Sequence, residues 1–306
     1  MSEVNTFHIT YDKMMIMDDF HVVTYKNSKL QIAPQYGCNP NILILNGQKV
    51  LDGNETEELL KEDFICKGDF LAPFPNRVCD GIYVFEGQTY QLYPNETDRG
   101  HALHGFLMKK ECTLISQNEG EEGTVAVFQT HISKGESQGY PFELEITLTF
   151  TLKEKALDID INAKNTGTSN APYGIGWHPY LTAGKKINDC KLRIPARKIM
   201  EVRTDKELIP TGTLLENEFG SEPKTIGETQ LDTCFADLVD HAVRFENIEL
   251  WMDDSMKYFQ SYTPAERMSI AVEPMSCAPD AFNNGLGLVT LAPQEDVNHR
   301  FGIRLV

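Results

Sequence analysis

The chain contains the stretch Phe142-Glu-Leu144-Glu-Ile146-Thr-Leu148-Thr-Phe150-Thr-Leu152, in which apolar and polar residues alternate without exception. Alternation with a period of two is typical of a β-strand that buries one face and leaves the other in water. The charged residues 153–155 interrupt the pattern, and it resumes over residues 157–163. The two runs therefore predict an antiparallel hairpin with one buried face.

Further strand-like segments surround this hairpin. Residues 41–45 and 49–51 flank Asn46-Gly47, a strong signal for a tight turn between two strands. Extended patterns also occur at residues 125–130, 191–194, 269–273, 286–291 and 302–306. Helical signals are few and short, at residues 56–60 and 255–258. Many strands and few helices predict an all-β fold, a large antiparallel β-sandwich that takes up residues 1–306 as a single domain.

Composition excludes several classes of partner. The chain has 306 residues, of which 41% are hydrophobic and 24% are charged, as is ordinary for a globular protein. Its 45 acidic and 28 basic residues give a net charge of −17. Nucleic acids and anionic membranes are poor partners for such a surface, because phosphate binding needs clustered Lys and Arg. No stretch approaches the roughly 18 apolar residues that a membrane helix needs.

The cysteines and the first residues predict a cytoplasmic location. Seven scattered cysteines, an odd number with no CxxC pair, argue against a disulfide framework or a zinc ribbon and favour reduced thiols. Residues 1–10 lack the basic region and apolar segment of a signal peptide. The sequence leaves the oligomeric state open between monomer and homodimer.

Two candidate clusters lie in the first third of the chain. The prolines of Pro73-Phe74-Pro75 stiffen the backbone ahead of Arg77, which can then present a fixed guanidinium to a ligand oxygen. Taken alone, a surface arginine after a turn is the simpler interpretation. The segment from Gly100 to Gly105 holds His101 and His104. In a strand these two would point to opposite faces, so one buried and one exposed histidine is the alternative to a pair.

Two stronger clusters follow. His178 lies in Gly176-Trp177-His178-Pro179-Tyr180-Leu181, where the proline favours an extended backbone and the ring can exchange a proton near neutral pH. A core histidine is the commoner role of such a residue in isolation. Glu273 ends an apolar run, and a buried carboxylate needs a partner or a raised pKa, which suits a general base. A structural salt bridge explains it equally well. Asp232 is weaker, since such an acid is easily part of a turn.

Taken together and in order, these clusters resemble the aldose 1-epimerase (galactose mutarotase) family. The resemblance spans residues 32–305 and is specific as an ordered set, although each motif alone is not. Its parts are Asn76-Arg77 after Pro-Phe-Pro, Leu103-His104-Gly105, His178, Leu231-Asp232 with Phe235, and Glu273 followed by Pro279-Asp280. Trp177 and Pro179 beside the central histidine are closer to a bacterial branch with the pattern G-x-H-P-Y.

The resemblance implies a galactose mutarotase-like supersandwich that interconverts the α and β anomers of a free galactose- or glucose-like aldose. It implies that Arg77, His104 and Asp232 bind the sugar. We expect Glu273 to act as the base at the C1 hydroxyl and His178 as the acid at the ring oxygen. Such a reaction requires neither a cofactor nor a metal, and the sequence has no Gly-rich phosphate loop.

Three alternatives stay open at this point. The first is a cupin-like metal enzyme that uses His101, His104, His178 and Glu273, although the H-x-H pair usual in cupins is absent. The second is a non-catalytic carbohydrate-binding protein on the same fold, since fold does not fix function. The third is an epimerase of a hexose with a charged group at C6, which would need an additional basic side chain in the site.

Overall fold

The structure is a computed structural model that describes residues 20–54, 56–62, 65–203, 208–220 and 222–306. Residues 1–10, from which the absence of a signal peptide was predicted, lie outside these ranges. Within them, no helix combines the length and the apolar character needed to cross a bilayer.

Strands make up most of the regular structure of the described residues. In chain order they are β1 (His21–Tyr25), β2 (Ser28–Ala33), β3 (Asn39–Leu45), β4 (Gln48–Lys49), β5 (Phe70–Leu71), β6 (Arg77–Val78), β7 (Ile82–Phe85), β8 (Gln88–Gln91), β9 (Ala102–Leu103), β10 (Thr113–Glu119), β11 (Thr124–Ile132), β12 (Leu144–Leu152), β13 (Ala156–Asn165), β14 (Ala171–Tyr173), β15 (Gly176–Trp177), β16 (Tyr180–Leu181), β17 (Lys191–Arg193), β18 (Ala196–Val202), β19 (Pro210–Glu216), β20 (Lys224–Thr225), β21 (Asp232–Leu238), β22 (Ala242–Phe245), β23 (Ile248–Met252), β24 (Tyr258–Tyr262), β25 (Ile270–Met275), β26 (Val289–Leu291) and β27 (Asp296–Leu305). The helices are α1 (Glu57–Lys61) and α2 (Ala281–Asn284), with 3-10 turns at Pro34–Tyr36, Cys79–Gly81, Leu107–Lys109 and Ile187–Asp189.

The predicted hairpin is confirmed as β12 and β13. The two strands pair antiparallel from Leu144 opposite Asn165 to Leu152 opposite Leu157. Every second residue of β12, beginning with Leu144, is buried, and the residues between them are half-buried. The alternation in the sequence therefore corresponds to one face in the core and one towards solvent.

Two large antiparallel sheets form a sandwich, which confirms the predicted fold class. One sheet has the strand order β10-β11-β12-β13-β27-β23-β22-β17-β20, and the other has β19-β18-β21-β24-β25-β15-β5, with β16 also paired to β25. Aromatic rings join the two layers. Phe70 and Trp177 of the second sheet lie with their ring centroids 6.4 and 5.7 Å from Phe301 of the first.

The local turn and helix predictions had mixed outcomes. Asn46-Gly47 does form the turn between β3 and β4, with φ of 44° and 82°. Helix α1 is present at the first predicted position. The second predicted helix, at residues 255–258, is wrong. The side chain of Asp253 accepts hydrogen bonds from the N–H and the hydroxyl of Ser255, which fixes a turn there, and Tyr258 already begins β24.

Candidate active site

A pocket of about 260 Å³ contains all five residues predicted from the sequence to bind or convert a ligand. These are Arg77, His104, His178, Asp232 and Glu273. They come from β6, the segment after β9, the connection between β15 and β16, β21 and β25. Residues that are up to about two hundred positions apart in sequence thus line one cavity, because the sheet topology brings these segments together.

Three neighbouring strands present one polar wall of the pocket. In the antiparallel register, Gln260 of β24 lies directly opposite Glu273 of β25, and Asp232 of β21 lies opposite Tyr262 of β24. Opposite residues share a face of the sheet, as do residues two apart on a strand. All four side chains therefore point the same way. The Gln260 amide donates a hydrogen bond to the Asp232 carboxylate at 2.8 Å.

His178 is fixed by its backbone and by its ring. Its N–H donates to the Asp69 carbonyl and its own carbonyl accepts from the Gly68 N–H, both at 2.9 Å. Its ring stacks on Tyr180, with a centroid separation of 5.2 Å and an interplanar angle of 11°. The Nε2 atom lies 3.3 Å from Oε1 of Glu273. An imidazole and a carboxyl group are thus held side by side, and both residues are buried.

Glu273 has the environment of a general base. It is 1% exposed, and its Oε2 atom has no hydrogen-bond partner among the described residues. Burial raises the pKa of this carboxyl well above its ordinary value; the charge of Asp232 adds to the shift, and Arg77 opposes it. A hydroxyl group of a ligand can donate to the vacant oxygen, and the raised pKa makes the carboxylate a stronger proton acceptor.

Asn76 and His104 form a rigid corner of the pocket. Both have positive φ, 57° and 63°. The His104 N–H donates to the Asn76 carbonyl at 2.8 Å, and the Asn76 N–H donates to Nδ1 of His104 at 3.2 Å. Burial lowers the pKa of His104 well below its ordinary value, and His178 and Arg77 add to the shift. The ring is therefore neutral, and with Nδ1 accepting, Nε2 has the proton and is a donor.

The backbone next to this corner leaves no room for a side chain. Gly105 has a φ of 65°, and a Cβ atom built on it would lie 2.2 Å from the Ala72 carbonyl oxygen. Only glycine fits both the backbone conformation and the close approach. The glycine after His104 thus has a structural role in holding this segment against the connection that leads to β6.

Arg77 is oriented by Glu96, a residue that the sequence reasoning missed. The guanidinium donates to both carboxylate oxygens, from Nε at 2.9 Å and from Nη2 at 2.8 Å. Arg99 donates to the same carboxylate at 2.8 Å. Burial alone would raise the pKa of Glu96, but the hydrogen bonds and charges of the two arginines outweigh it and lower the pKa. Glu96 follows a turn-like segment and gave no sign of burial in the sequence.

Tyr180 also lines the pocket, and so does Gln260, which was not predicted from the sequence. Gln260 is 5% exposed, and its Oε1 atom has no hydrogen-bond partner among the described residues. In the sequence, the only indication of a role for Gln260 is that it is a polar residue between Phe259 and Ser261-Tyr262. The pocket therefore has two buried acceptor oxygens, on Gln260 and Glu273, that a polyhydroxylated ligand can satisfy.

His101 lies apart from the pocket. It is 1% exposed, and its Nδ1 atom accepts a hydrogen bond from the Asp80 N–H at 3.1 Å. One potential metal-ligand atom from each of Cys79, Asp80 and His101 lies within 4.8 Å of the other two. The four residues of the metal-enzyme alternative therefore do not gather, since His101 is with Asp80 while the other three line the pocket.

Comparisons with known proteins all indicate the same protein family. The family model described as Aldose 1-epimerase matches residues 22–304. The uncharacterized protein YihR of Escherichia coli strain K12 is 33% identical over 236 residues, which are 73% of this chain and 74% of YihR. Human galactose mutarotase is 28% identical over 149 residues, which are 47% of this chain and 41% of that protein.

Solved structures share the fold. A galactose mutarotase-like protein from Clostridium acetobutylicum superposes with a TM-score of 0.82 at 17% identity, over 93% of this chain and 95% of that one. The GalM/aldose epimerase homologue from C. elegans gives a TM-score of 0.80 at 19% identity, over 94% and 98% of the two chains. At sequence identities this low, the similarity to these structures shows the fold alone.

Proposed function

The chain belongs to the aldose 1-epimerase family of isomerases, and on this basis we propose that it interconverts the α and β anomers of a free galactose- or glucose-like aldose. The observation that supports this most is the pairing of His178 and Glu273, 3.3 Å apart in a buried pocket. A binding protein needs neither an acid nor a base in its site, so this pair favours catalysis.

The proposed reaction is proton transfer at both ends of the C1–ring-oxygen bond. Glu273 removes the proton of the C1 hydroxyl while His178, in its protonated form, gives a proton to the ring oxygen. The bond between C1 and the ring oxygen breaks, and its electron pair stays on the oxygen, leaving an open-chain aldehyde. After rotation about the C1–C2 bond, the hydroxyl attacks the other face of the aldehyde and the two protons return.

The remaining residues bind and orient the sugar in this proposal. Arg77, held by Glu96, and His104, with its proton on Nε2, donate to sugar oxygens. Asp232 and the vacant oxygen of Gln260 accept from hydroxyls. Fixing the hydroxyls in this way determines which oxygen faces which proton carrier, and positioning of this kind contributes strongly to rate.

The test is anomer exchange followed by polarimetry on freshly dissolved glucose and galactose. His178→Asn and Glu273→Gln should each reduce kcat by about 10²–10⁴-fold without unfolding the protein. A matched control exists on the outer face of the nine-stranded sheet, where His131 lies opposite Glu145. His131→Asn and Glu145→Gln should leave the rate unchanged. Near-wild-type exchange by either pocket variant would refute the assignment.

A hexose with a negative charge at C6 is the second candidate substrate. Arg99 favours it, because it brings a second guanidinium to the wall that Arg77 and Glu96 form. Comparing kcat/KM for glucose and glucose 6-phosphate separates the candidates. A preference for the phosphate that is lost in Arg99→Gln would support the charged substrate. Tight binding of either sugar with no faster exchange would instead support a non-catalytic binding protein.

A further inference from the structure

The four strands β1 to β4 form a sheet of their own, and none of their described residues lines the catalytic pocket. The first residue of β3, Asn39, nevertheless has a polar side chain that is fully buried. A buried amide lowers the stability of a protein unless it makes hydrogen bonds. The contacts of Asn39 therefore indicate its role.

Asn39 holds residues 67–69, a short segment that leads into β5. Its Nδ2 atom donates to the Lys67 carbonyl at 2.8 Å and to Oδ1 of Asp69 at 2.7 Å. A side-chain amide has two N–H groups, so both of its donors are used here. Because both partners are acceptors, the nitrogen must face them, and this fixes the orientation of the amide.

Gly68, between these two partners, fits closely against the oxygen of the same amide. Its φ is 83°, and a Cβ atom built on it would lie 2.6 Å from Oδ1 of Asn39. Only glycine fits both this backbone conformation and this close approach. Asn39 thus fixes the 67–69 segment by two hydrogen bonds and by direct contact with Gly68.

The same segment holds the backbone of His178. The Gly68 N–H donates to the His178 carbonyl, and the Asp69 carbonyl accepts from the His178 N–H, both at 2.9 Å. The Gly68 carbonyl also accepts from Nε1 of Trp177 at 3.1 Å. The position of His178 is therefore set by a segment whose own position is set by Asn39.

We propose that Asn39 is a positioning residue for the proton transfer and acts on His178 through the 67–69 segment. The proposal rests on the proposed function, from which it takes the role of His178 as the acid. Nε2 of His178 lies 3.3 Å from Oε1 of Glu273, and a misplacement of about 1 Å can reduce a rate by about 100-fold. Arg77 and Asp232 belong to β6 and β21, so sugar binding should depend little on Asn39.

Asn39→Asp tests this with almost no change in side-chain shape. Aspartate has no N–H group to donate, and its carboxylate would lie against that of Asp69. The matched control is Asn41→Asp, because Asn41 is also buried on β3 and makes two hydrogen bonds, both to the backbone of Asn54 at 2.7 Å. Both variants should have a lower Tm. By polarimetry, kcat should fall about 10–100-fold in Asn39→Asp alone, with KM changed less than threefold.

A second pair of variants tests the same contact from the opposite side and adds no charge to the core. Gly68→Ala would press a methyl group against Oδ1 of Asn39. Gly47 has nearly the same φ, 82°, and no described atom lies within 4 Å of a Cβ built on it. Gly47→Ala therefore imposes similar backbone strain without the contact. We expect kcat to fall in Gly68→Ala and to stay at the wild-type value in Gly47→Ala.

Equal kcat values within both pairs would overturn the positioning role, as would a rise in KM with unchanged kcat. If the wild-type protein exchanges no sugar, the proposed function fails instead, and NMR signals of the His178 ring, assigned with His178→Asn, still report its position. They should shift in Asn39→Asp and Gly68→Ala and stay unchanged in the two controls. Unchanged His178 signals in all four variants would refute the link between Asn39 and His178.

Discussion

The Asn76 N–H donates to Nδ1 of His104, while the His104 N–H donates to the Asn76 carbonyl, so each residue fixes the other. This reciprocal pair determines which ring nitrogen has the proton. Since Nδ1 accepts, Nε2 must donate, and His104 can give a hydrogen bond to a sugar oxygen but cannot receive one at that atom.

His104→Asn and His104→Gln separate the two roles of the His104 ring, which are to accept from the Asn76 N–H at Nδ1 and to donate to the sugar from Nε2. The asparagine oxygen can replace Nδ1 as the acceptor for the Asn76 N–H, and asparagine tolerates positive φ. It lacks the outer donor, so we expect normal stability and a KM raised about tenfold, the effect of one lost hydrogen bond. Glutamine keeps a donor near Nε2 but loses the inner acceptor, so we expect a lower Tm with a smaller change in KM. The reverse pattern in Tm and KM would contradict this.

Glu273→Gln should stabilise the protein at neutral pH. Burial raises the pKa of Glu273 in the folded state above its ordinary value of 4.5. Its contribution to stability is therefore fully present below the unfolded pKa and is lost as pH rises through the folded pKa. Glutamine does not ionise, so Tm at pH 7 should rise by about 2–4 °C, and the gain should vanish near pH 4. Glu145→Gln, at a half-buried position on β12, is the control and should show no such pH-dependent gain.

Glu96→Gln should weaken sugar binding more than turnover. Glutamine has one acceptor oxygen where glutamate has two, so it cannot accept the hydrogen bonds from both Nε and Nη2 of Arg77. The arginine therefore loses its fixed orientation. We expect KM to rise about tenfold and kcat to change less than threefold, measured by polarimetry. The pKa of Glu96 is lowered in the folded state, so its stabilising contribution is present at neutral pH and is lost as pH falls. The Tm deficit of the variant should therefore narrow in acid.

The control for Glu96 is an ion pair that is exposed. Lys26 and Glu154 form one at 3.0 Å with about half of each side chain in solvent, 55% and 42%. Exposed pairs of this kind contribute about 0–1 kcal/mol. Glu154→Gln should change neither KM nor Tm appreciably. An equal response of the two variants would mean that Glu96 has only a general structural effect.

Tyr180 is expected to position His178. The two rings are nearly parallel, the Tyr180 hydroxyl donates to the Ile65 carbonyl at 3.1 Å, and Nζ of Lys67 lies 5.7 Å from the centroid of the tyrosine ring. Tyr180→Leu removes the aromatic face on which the His178 ring stacks, so kcat should fall about tenfold with little change in KM.

Tyr180→Phe is the matched variant for this prediction. It keeps the ring and loses only the hydroxyl, so its kcat should stay close to that of the wild type. If the phenylalanine variant lost as much activity as the leucine variant, the hydroxyl anchor rather than the stacked ring would be the important feature.

Local patterns in the sequence predicted the fold class better than the sheet order. The alternation over residues 142–163 predicted a hairpin because its information is short-range, and β12 and β13 confirm it. The position of β27 between β13 and β23 could not be predicted in this way, since the local sequence pattern of a strand does not indicate which distant strand it pairs with. The prediction of a helix at residues 255–258 was wrong because the side chain of Asp253 accepts a hydrogen bond from the Ser255 N–H and so stabilises a turn.

The candidate site shows the same division. The order of the motifs identified five of the residues that line the pocket, but order alone says nothing about what holds them. Glu96 has a sequence environment typical of an exposed turn, and Gln260 lies in an ordinary strand. Both have their role only because distant segments place Arg77 beside the first and Asp232 beside the second.

The central position of β27 has a consequence for how the chain is made. Its two neighbours in the nine-stranded sheet, β13 and β23, precede it in sequence, so each has an open edge until residues 296–305 leave the ribosome. Open strand edges pair with other chains, and pairing over long sequence separations is slow. We expect the nascent chain to be prone to aggregation and to close its sheet only after residues 296–305 have emerged, so slower translation or additional chaperone should raise the yield of folded protein.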